Sequence, residues 1–387
     1  MKKTITLLTV VALMLTVFVG CNQATPNNSD TIKVGINYEL SGGTATYGQS
    51  SVEGIELAIE EINKAGGING KQIQPVKYDN KSEEAEATTL ATRLITQDKV
   101  LAVLGPATSG MFKATIPVAE QNKIPVASGS ATANDVTVDA NGVKEFAFRI
   151  CFYDEVQGQV MADYAYEKLG KQKAVIIMDS SSDYAKGLAE SFTETFEAAG
   201  GTIVAQEAYV TNDTDFNAVI TSIKGQDFDV IFIPGYYQEV GLIIKQARAQ
   251  GIDVPILGAD GFDSPKLAEL AGADALSNVY FSNHYSSLDQ DPTVQEFIKS
   301  FKAQYNKEPD AFNALGYDLA KFVADGISRA EKPDGESVRN ALAETKEFHG
   351  VTGTITVDEN HNAVKDIIVI QMENGKQANS ERIKPEE

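Results

Sequence analysis

Val100-Leu101-Ala102-Val103-Leu104-Gly105-Pro106-Ala107-Thr108-Ser109-Gly110 sets an unbroken apolar run against a glycine turn and a cluster of small hydroxyl residues. A run without polar alternation is the pattern of a parallel strand covered on both faces. Helical spacing follows over residues 111–121. A second apolar run, Ile124-Pro125-Val126-Ala127, then leads into Ser128-Gly129-Ser130-Ala131-Thr132. Strand, polar turn, helix and strand again make one unit of an α/β winding.

The same alternation extends in both directions. Upstream, residues 32–38 read as a strand, and Val52, Ile55, Ile59 and Ile62 fall at helical spacing until Gly66-Gly67 stops the helix. Residues 73–78 and a charged helix over 83–97 complete that part. Downstream the pattern restarts with a strand at 173–178. A helix at 184–199, strands at 202–209 and 229–233, a helix at 238–250 and a strand at 255–258 follow. Two such series predict two doubly wound parallel-sheet lobes with a cleft between them. The last third predicts helices at 292–305, 310–330 and 336–345. An antiparallel pair, 353–357 with 365–372, turns at 358–362, and residues 379–387 read as a polar tail.

The chain has 387 residues, 43% of them hydrophobic and 22% charged, with a formal net charge of −21. That length exceeds one ordinary core and implies two domains. The acidity excludes a nucleic-acid partner, which needs clustered Lys and Arg. Two cysteines cannot build a disulfide framework, and Cys151 reads as a buried thiol.

The N-terminus gives the address. Lys2 and Lys3 precede an apolar run over residues 5–19, too short for the ~20 residues of a spanning helix. It ends in Phe18-Val19-Gly20-Cys21, followed by a polar stretch to Asp30. This resembles the lipobox of bacterial lipoproteins, which implies a signal peptide over 1–20, acylation of Cys21 and a tether over 21–31. A plain secretory signal with a chance cysteine is the alternative reading.

Catalytic and metal patterns are absent from the sequence. His284, His349 and His361 are far apart and read as lone surface residues. Ser109 and Ser130 lack the nucleophile elbow of a hydrolase. Gly67-Ile68-Asn69-Gly70-Lys71-Gln72 has the wrong spacing for a phosphate loop and reads as a turn. The expectation is a protein that is not an enzyme and that carries no metal or cofactor.

Polar groups at the strand ends remain. Ser109, Ser130 and Thr132 lie at the carboxyl edge of a parallel sheet, where open α/β folds bind ligands. Hydroxyls and free N–H groups at a helix start suit a carboxylate, although either loop alone is equally compatible with simple capping. The second half places Asp183-Tyr184, Gly235-Tyr236-Tyr237 and Gly258-Ala259-Asp260-Gly261 at the corresponding edge. Hydroxyls on one lobe with aromatic rings and an acid on the other would clamp a zwitterion with an apolar side chain.

From about Ile32 to Met372 the chain resembles the leucine/isoleucine/valine-binding proteins of ABC importers, which have the type I periplasmic-binding-protein fold. The resemblance rests on Ser41-Gly42-Gly43 with Tyr47-Gly48, Glu60 to Asn63 through Gly70, Gly105 to Ser109, Asp183 to Gly187, Gly235-Tyr236-Tyr237, Lys245 to Arg248 and Gly258 to Gly261. It implies two lobes joined by three crossovers near residues 149–150, 284 and 366. Lobe 1 would hold 32–149 and 285–365, and lobe 2 would hold 150–284 and 366–378. It also implies that Ser109 and Thr132 hold the ligand carboxylate, helped by backbone around Ser130. Tyr47, Ala107 and Phe312 would border the side-chain pocket, with Tyr184 and Tyr236 closing over it. Asp260 stands where the branched-chain binders carry glutamate for the ammonium, on an arm one methylene shorter. The implied partners are a branched-chain amino acid, an ABC permease with its ATPases, and the membrane through the N-terminal lipid. The implied location is the outer face of the cytoplasmic membrane. The alternative is the same fold with another small amino acid, an amide or an aromatic acid, or a sensory domain.

Overall fold

The apolar run around Val103 forms the centre of a five-stranded parallel sheet in a computed structural model that describes residues 31–384. This first lobe begins with β1 (Thr31–Tyr38), α1 (Ala45–Lys64), β2 (Gln72–Asp79) and α2 (Glu84–Arg93). It continues with β3 (Val103–Leu104), α3 (Ser109–Asn122) and β4 (Val126–Ser128). A small ribbon, β5 (Val138–Asp139) and β6 (Gly142–Val143), leads to β7 (Ala147–Arg149). Strand order is β2-β1-β3-β4-β7, all parallel. Val103, Leu104, Val126 and Ala127 are all buried, which is why these strands show no polar alternation.

The chain then crosses to a second lobe: α4 (Asp154–Asp163), β8 (Lys173–Asp179), α5 (Asp183–Ala198) and β9 (Thr202–Tyr209). After these come α6 (Asn217–Lys224), β10 (Val230–Phe232), α7 (Tyr237–Ala249), β11 (Ile256–Gly258), α8 (Pro265–Ala271) and β12 (Val279–Asn283). It returns to the first lobe with α9 (Pro292–Tyr305), α10 (Ala311–Arg329) and α11 (Gly335–Ala343), where α10 packs on α1. Capping fixes these starts. Asp310 and Asn313 form a reciprocal capping box on α10, and Asp291 caps α9 ahead of Pro292. The short strands β13 (Phe348–Gly350), β14 (Gly353–Val357) and β15 (Ala363–Val364) form an antiparallel sheet of their own. A third crossing brings β16 (Ile367–Glu373) and β17 (Lys376–Ile383) into the second sheet, whose order is β17-β16-β12-β11-β10-β8-β9.

Two expectations for the C-terminus are corrected. The strand at 353–357 does not pair with 365–372. Instead β14 lies between β13 and β15, while β16 runs antiparallel to β12. Nor do residues 379–383 lie in a polar tail, because they belong to β17. Among the described residues that strand pairs with β16 alone and leaves much of its length in solvent, so it carries no apolar run. Cys21 and the signal region lie outside the described residues. Among the described residues no helix is long and apolar enough to cross a membrane.

Candidate functional site

In each sheet the order reverses beside the first strand of its series, at β1/β3 and at β8/β10. Open α/β sheets bind ligands at such switch points, beyond the carboxyl ends of the strands. Here the two switch points face each other.

On the first lobe the turn after β3 starts at Gly105, whose φ is +84°. A Cβ there would meet the Asn37 carbonyl at 2.5 Å, so only glycine fits. The next N–H groups are not free for a ligand, contrary to expectation. The buried Glu39 carboxylate accepts from Ala107 N and Thr108 N, both at 3.0 Å, and from Thr108 Oγ1 at 2.8 Å. Burial raises the Glu39 pKa, and these bonds pull it back. Ser130 Oγ donates to Ala107 O at 2.9 Å, which stitches the two edge loops together. Ser109 Oγ accepts from Ala133 N at 3.0 Å and so keeps its own proton to donate. Thr132 Oγ1 is buried.

On the second lobe Asp260 is buried and held from three sides. Tyr184 OH donates to its Oδ1 at 2.8 Å and also accepts from Gly261 N at 3.0 Å. His284 Nε2 meets Oδ2 at 3.3 Å. Gln157 Oε1 accepts from the Asp260 N–H at 3.3 Å and from Ser282 Oγ at 2.8 Å. His284 and His361 are therefore corrected from surface to buried residues. His284 lies in the second crossover and stacks on Phe152 at 3.7 Å. Burial lowers its pKa to about 4, so it is neutral, and the carboxylate acceptor sets the proton on Nε2. Neither His284, Gln157 nor Glu39 belongs to a sequence motif, and only the folded geometry brings them to the site.

The two lobes are closed on one another. Tyr47 OH donates to Gly261 O and accepts from Tyr237 N at 3.1 Å, while Tyr237 OH donates to Gly43 O at 3.0 Å. Lys113 Nζ reaches Asp183 at 2.7 Å across the cleft and Asp135 at 2.6 Å on its own side. The rings stack in pairs: Tyr47 on Phe312 with centroids 4.2 Å apart, and Tyr184 on Tyr236 at 4.9 Å. Between them lies a small cavity lined by Tyr47, Ala107, Ser130, Tyr184, Tyr236, Asp260 and Phe312 together with Thr108 and Gly261. Seven of the nine residues expected from the sequence thus meet in one cavity. Ser109 and Thr132 sit outside its lining. A larger concavity between α4, α5 and β17 opens on the outside of the second lobe. Among the described residues no cluster of His, Cys, Asp and Glu could hold a metal.

The chain matches the periplasmic binding protein family over residues 31–377. The leucine-, isoleucine-, valine-, threonine- and alanine-binding protein of Pseudomonas aeruginosa is 31% identical over 332 residues, 86% of this chain and 87% of its own. Among solved structures, the branched-chain amino acid transporter substrate-binding protein LivJ of Streptococcus pneumoniae, in complex with isoleucine, is 44% identical with a TM-score of 0.87. The match covers 92% of this chain and 100% of that one. A solute-binding protein of an ABC transporter from R. palustris, in complex with benzoate, is 25% identical with a TM-score of 0.82 over 92% of this chain and 98% of its own. The fold, the facing switch points and these relatives together make the chain a member of the periplasmic binding protein family, of the kind that serves ABC transporters.

Proposed function

We propose that the protein is the substrate-binding component of an ABC importer, held at the outer face of the cytoplasmic membrane through Cys21, that captures leucine, isoleucine or valine and delivers it to the permease. The observation that carries this reading is the closed cavity, which sets stacked aromatic rings beside the buried Asp260 carboxylate. The rings suit an apolar side chain, whose burial is worth about 1.5–3 kcal/mol. Asp260 suits an ammonium group. Ser109, with a proton to donate, and Thr132 suit the carboxylate.

An aromatic acid is the second reading, favoured by the rings and by the benzoate complex of the R. palustris relative. It is disfavoured by charge, because no Lys or Arg lines the cavity and a lone carboxylate would be buried beside Asp260.

A thermal-shift panel on protein unfolded, stripped of ligand and refolded separates the two. A bound ligand stabilises by about 3–4 kcal/mol at 100 to 1,000 times its Kd. Leucine, isoleucine and valine should raise the melting temperature, alanine less, and benzoate not at all. A shift with benzoate alone overturns the amino-acid reading. The anchor is tested separately: Cys21→Ala should release the protein from membranes or leave it unprocessed, and retention like the parent overturns it.

A further inference from the structure

The turn after β11 runs from Asp260 to Ser264, and it reaches the first lobe at several points besides the cavity. Gly261 O accepts from Tyr47 OH, and Ser264 Oγ lies 2.9 Å from Thr46 Oγ1 on α1. Between them Asp263 Oδ2 accepts from the Ala311 N–H at 3.0 Å. Ala311 opens α10, and the next residue, Phe312, lines the cavity. The cap of that helix, Asp310, is already engaged: its Oδ1 accepts from Asn313 N at 2.9 Å and its Oδ2 from Ser50 Oγ at 2.6 Å. The Ala311 N–H is one of the donors that a helix start leaves without an internal partner, and here the opposite lobe supplies the acceptor. On its own side Asp263 is fixed by Asn283 Nδ2, which donates to the same oxygen at 2.7 Å. Asn283 ends β12 beside His284 in the second crossover, and its Oδ1 accepts from the His284 N–H at 2.9 Å.

Resting on the amino-acid reading above, we propose that Asp263 is a positioning residue that clasps the closed lobes: its carboxylate holds the start of α10, and with it Phe312, against the loop that carries Asp260. The contact joins groups from opposite lobes, so it forms as the cleft closes and breaks as it opens. The partial positive charge of a helix start favours a carboxylate there, and this attraction stabilises the closed state alone. Asp263 is not among the residues that line the cavity. It therefore reads no part of the ligand and sets how long a captured ligand stays. The like charge of Asp310 works against the contact, since burial and then Asp263 push the Asp310 carboxyl up to about 7. An uncharged acceptor of the same shape should serve nearly as well.

The test is stopped-flow tyrosine fluorescence on stripped protein with leucine, because a contact made after capture acts on release. Asp263→Ala should raise koff roughly tenfold or more and leave kon within about threefold of the parent. Asp263→Asn keeps an acceptor oxygen and should hold koff within about threefold of the parent. A koff for Asp263→Ala within about twofold of the parent overturns the assignment. So does a kon lowered as much as koff is raised, which marks a merely structural residue. Asp263→Asn releasing leucine as fast as Asp263→Ala also overturns it, since the acceptor oxygen is then not what matters. Should Asp263→Ala fail to fold, Ala311→Pro removes the donor instead, at the first helical position, where proline is tolerated, and the same koff and kon outcomes decide. If the parent binds no amino acid, the functional reading itself fails and this assignment falls with it.

Discussion

The Tyr47 hydroxyl on the first lobe donates to the Gly261 carbonyl on the second, and the Tyr237 N–H of the second lobe donates back to it. One phenol thus ties the lobes together while its ring stacks on Phe312 at the cavity wall. Closure and side-chain recognition share this residue.

Tyr47→Phe keeps the ring and removes the tie. A hydrogen bond contributes a net ~0.5–1.5 kcal/mol. Ligand affinity should therefore fall about 2- to 13-fold, read by calorimetry. Unchanged affinity would show that this bond does not bias closure.

Gly261→Ala tests how tightly that loop is packed. A Cβ there would stand 2.6 Å from Gly235 O and 2.9 Å from Tyr184 OH. The first neighbour is backbone and cannot turn aside, so the loop carrying Asp260 must shift. Affinity should drop by more than about tenfold, the effect of losing ~1.4 kcal/mol. Parent-like affinity would mean the loop tolerates the shift.

Glu39→Gln probes the first-lobe edge. Glutamine offers one acceptor where the carboxylate now serves three donors, and it turns an NH₂ toward them. The loss should be about 1–3 kcal/mol of unfolding free energy in urea. A change below about 0.5 kcal/mol would mean the loop keeps its shape without the carboxylate.

His284 gives a pH dependence with a defined sign. Its folded pKa of about 4 lies below the ordinary 6.5, so the unfolded chain takes up the extra proton on acidification. This group's stability is complete above about 6.5 and is lost as the pH falls towards 4, at about 1.4 kcal/mol per unit. Asp310, raised to about 7 by burial, titrates in parent and variant alike and cancels in the difference. The stability of His284→Gln should therefore fall less steeply between pH 6 and 4.5 than the parent's. Parallel curves would contradict a neutral buried His284.

The sheets and the cavity wall were legible because each rests on a local pattern. Residues 100–110 and 124–132 carry apolar runs that end in small polar residues, and a parallel sheet puts both ends at one edge. What was missed has no local signature. His284 looks like any single histidine. Its burial arises where the crossovers bring the lobes together. Glu39 is one residue past a strand, and nothing nearby announces that it takes the Ala107 and Thr108 N–H groups. β17 escaped because an edge strand exposed along much of its length needs no apolar run. β16 was recognised as a strand but given the wrong partner, since its apolar faces do not say which sheet it joins.

The central claim is a clamp for a branched-chain amino acid in which Asp260 faces the ammonium. Calorimetry on stripped protein, parent against Asp260→Ala, with leucine and its deaminated analogue, tests it most directly. Leaving a desolvated charge unpaired costs on the order of 2–5 kcal/mol. The account predicts that Asp260→Ala binds leucine roughly 30-fold or more weakly, and that the parent rejects the deaminated analogue. Normal leucine binding by Asp260→Ala, or parent affinity for the deaminated analogue equal to that for leucine, would contradict it.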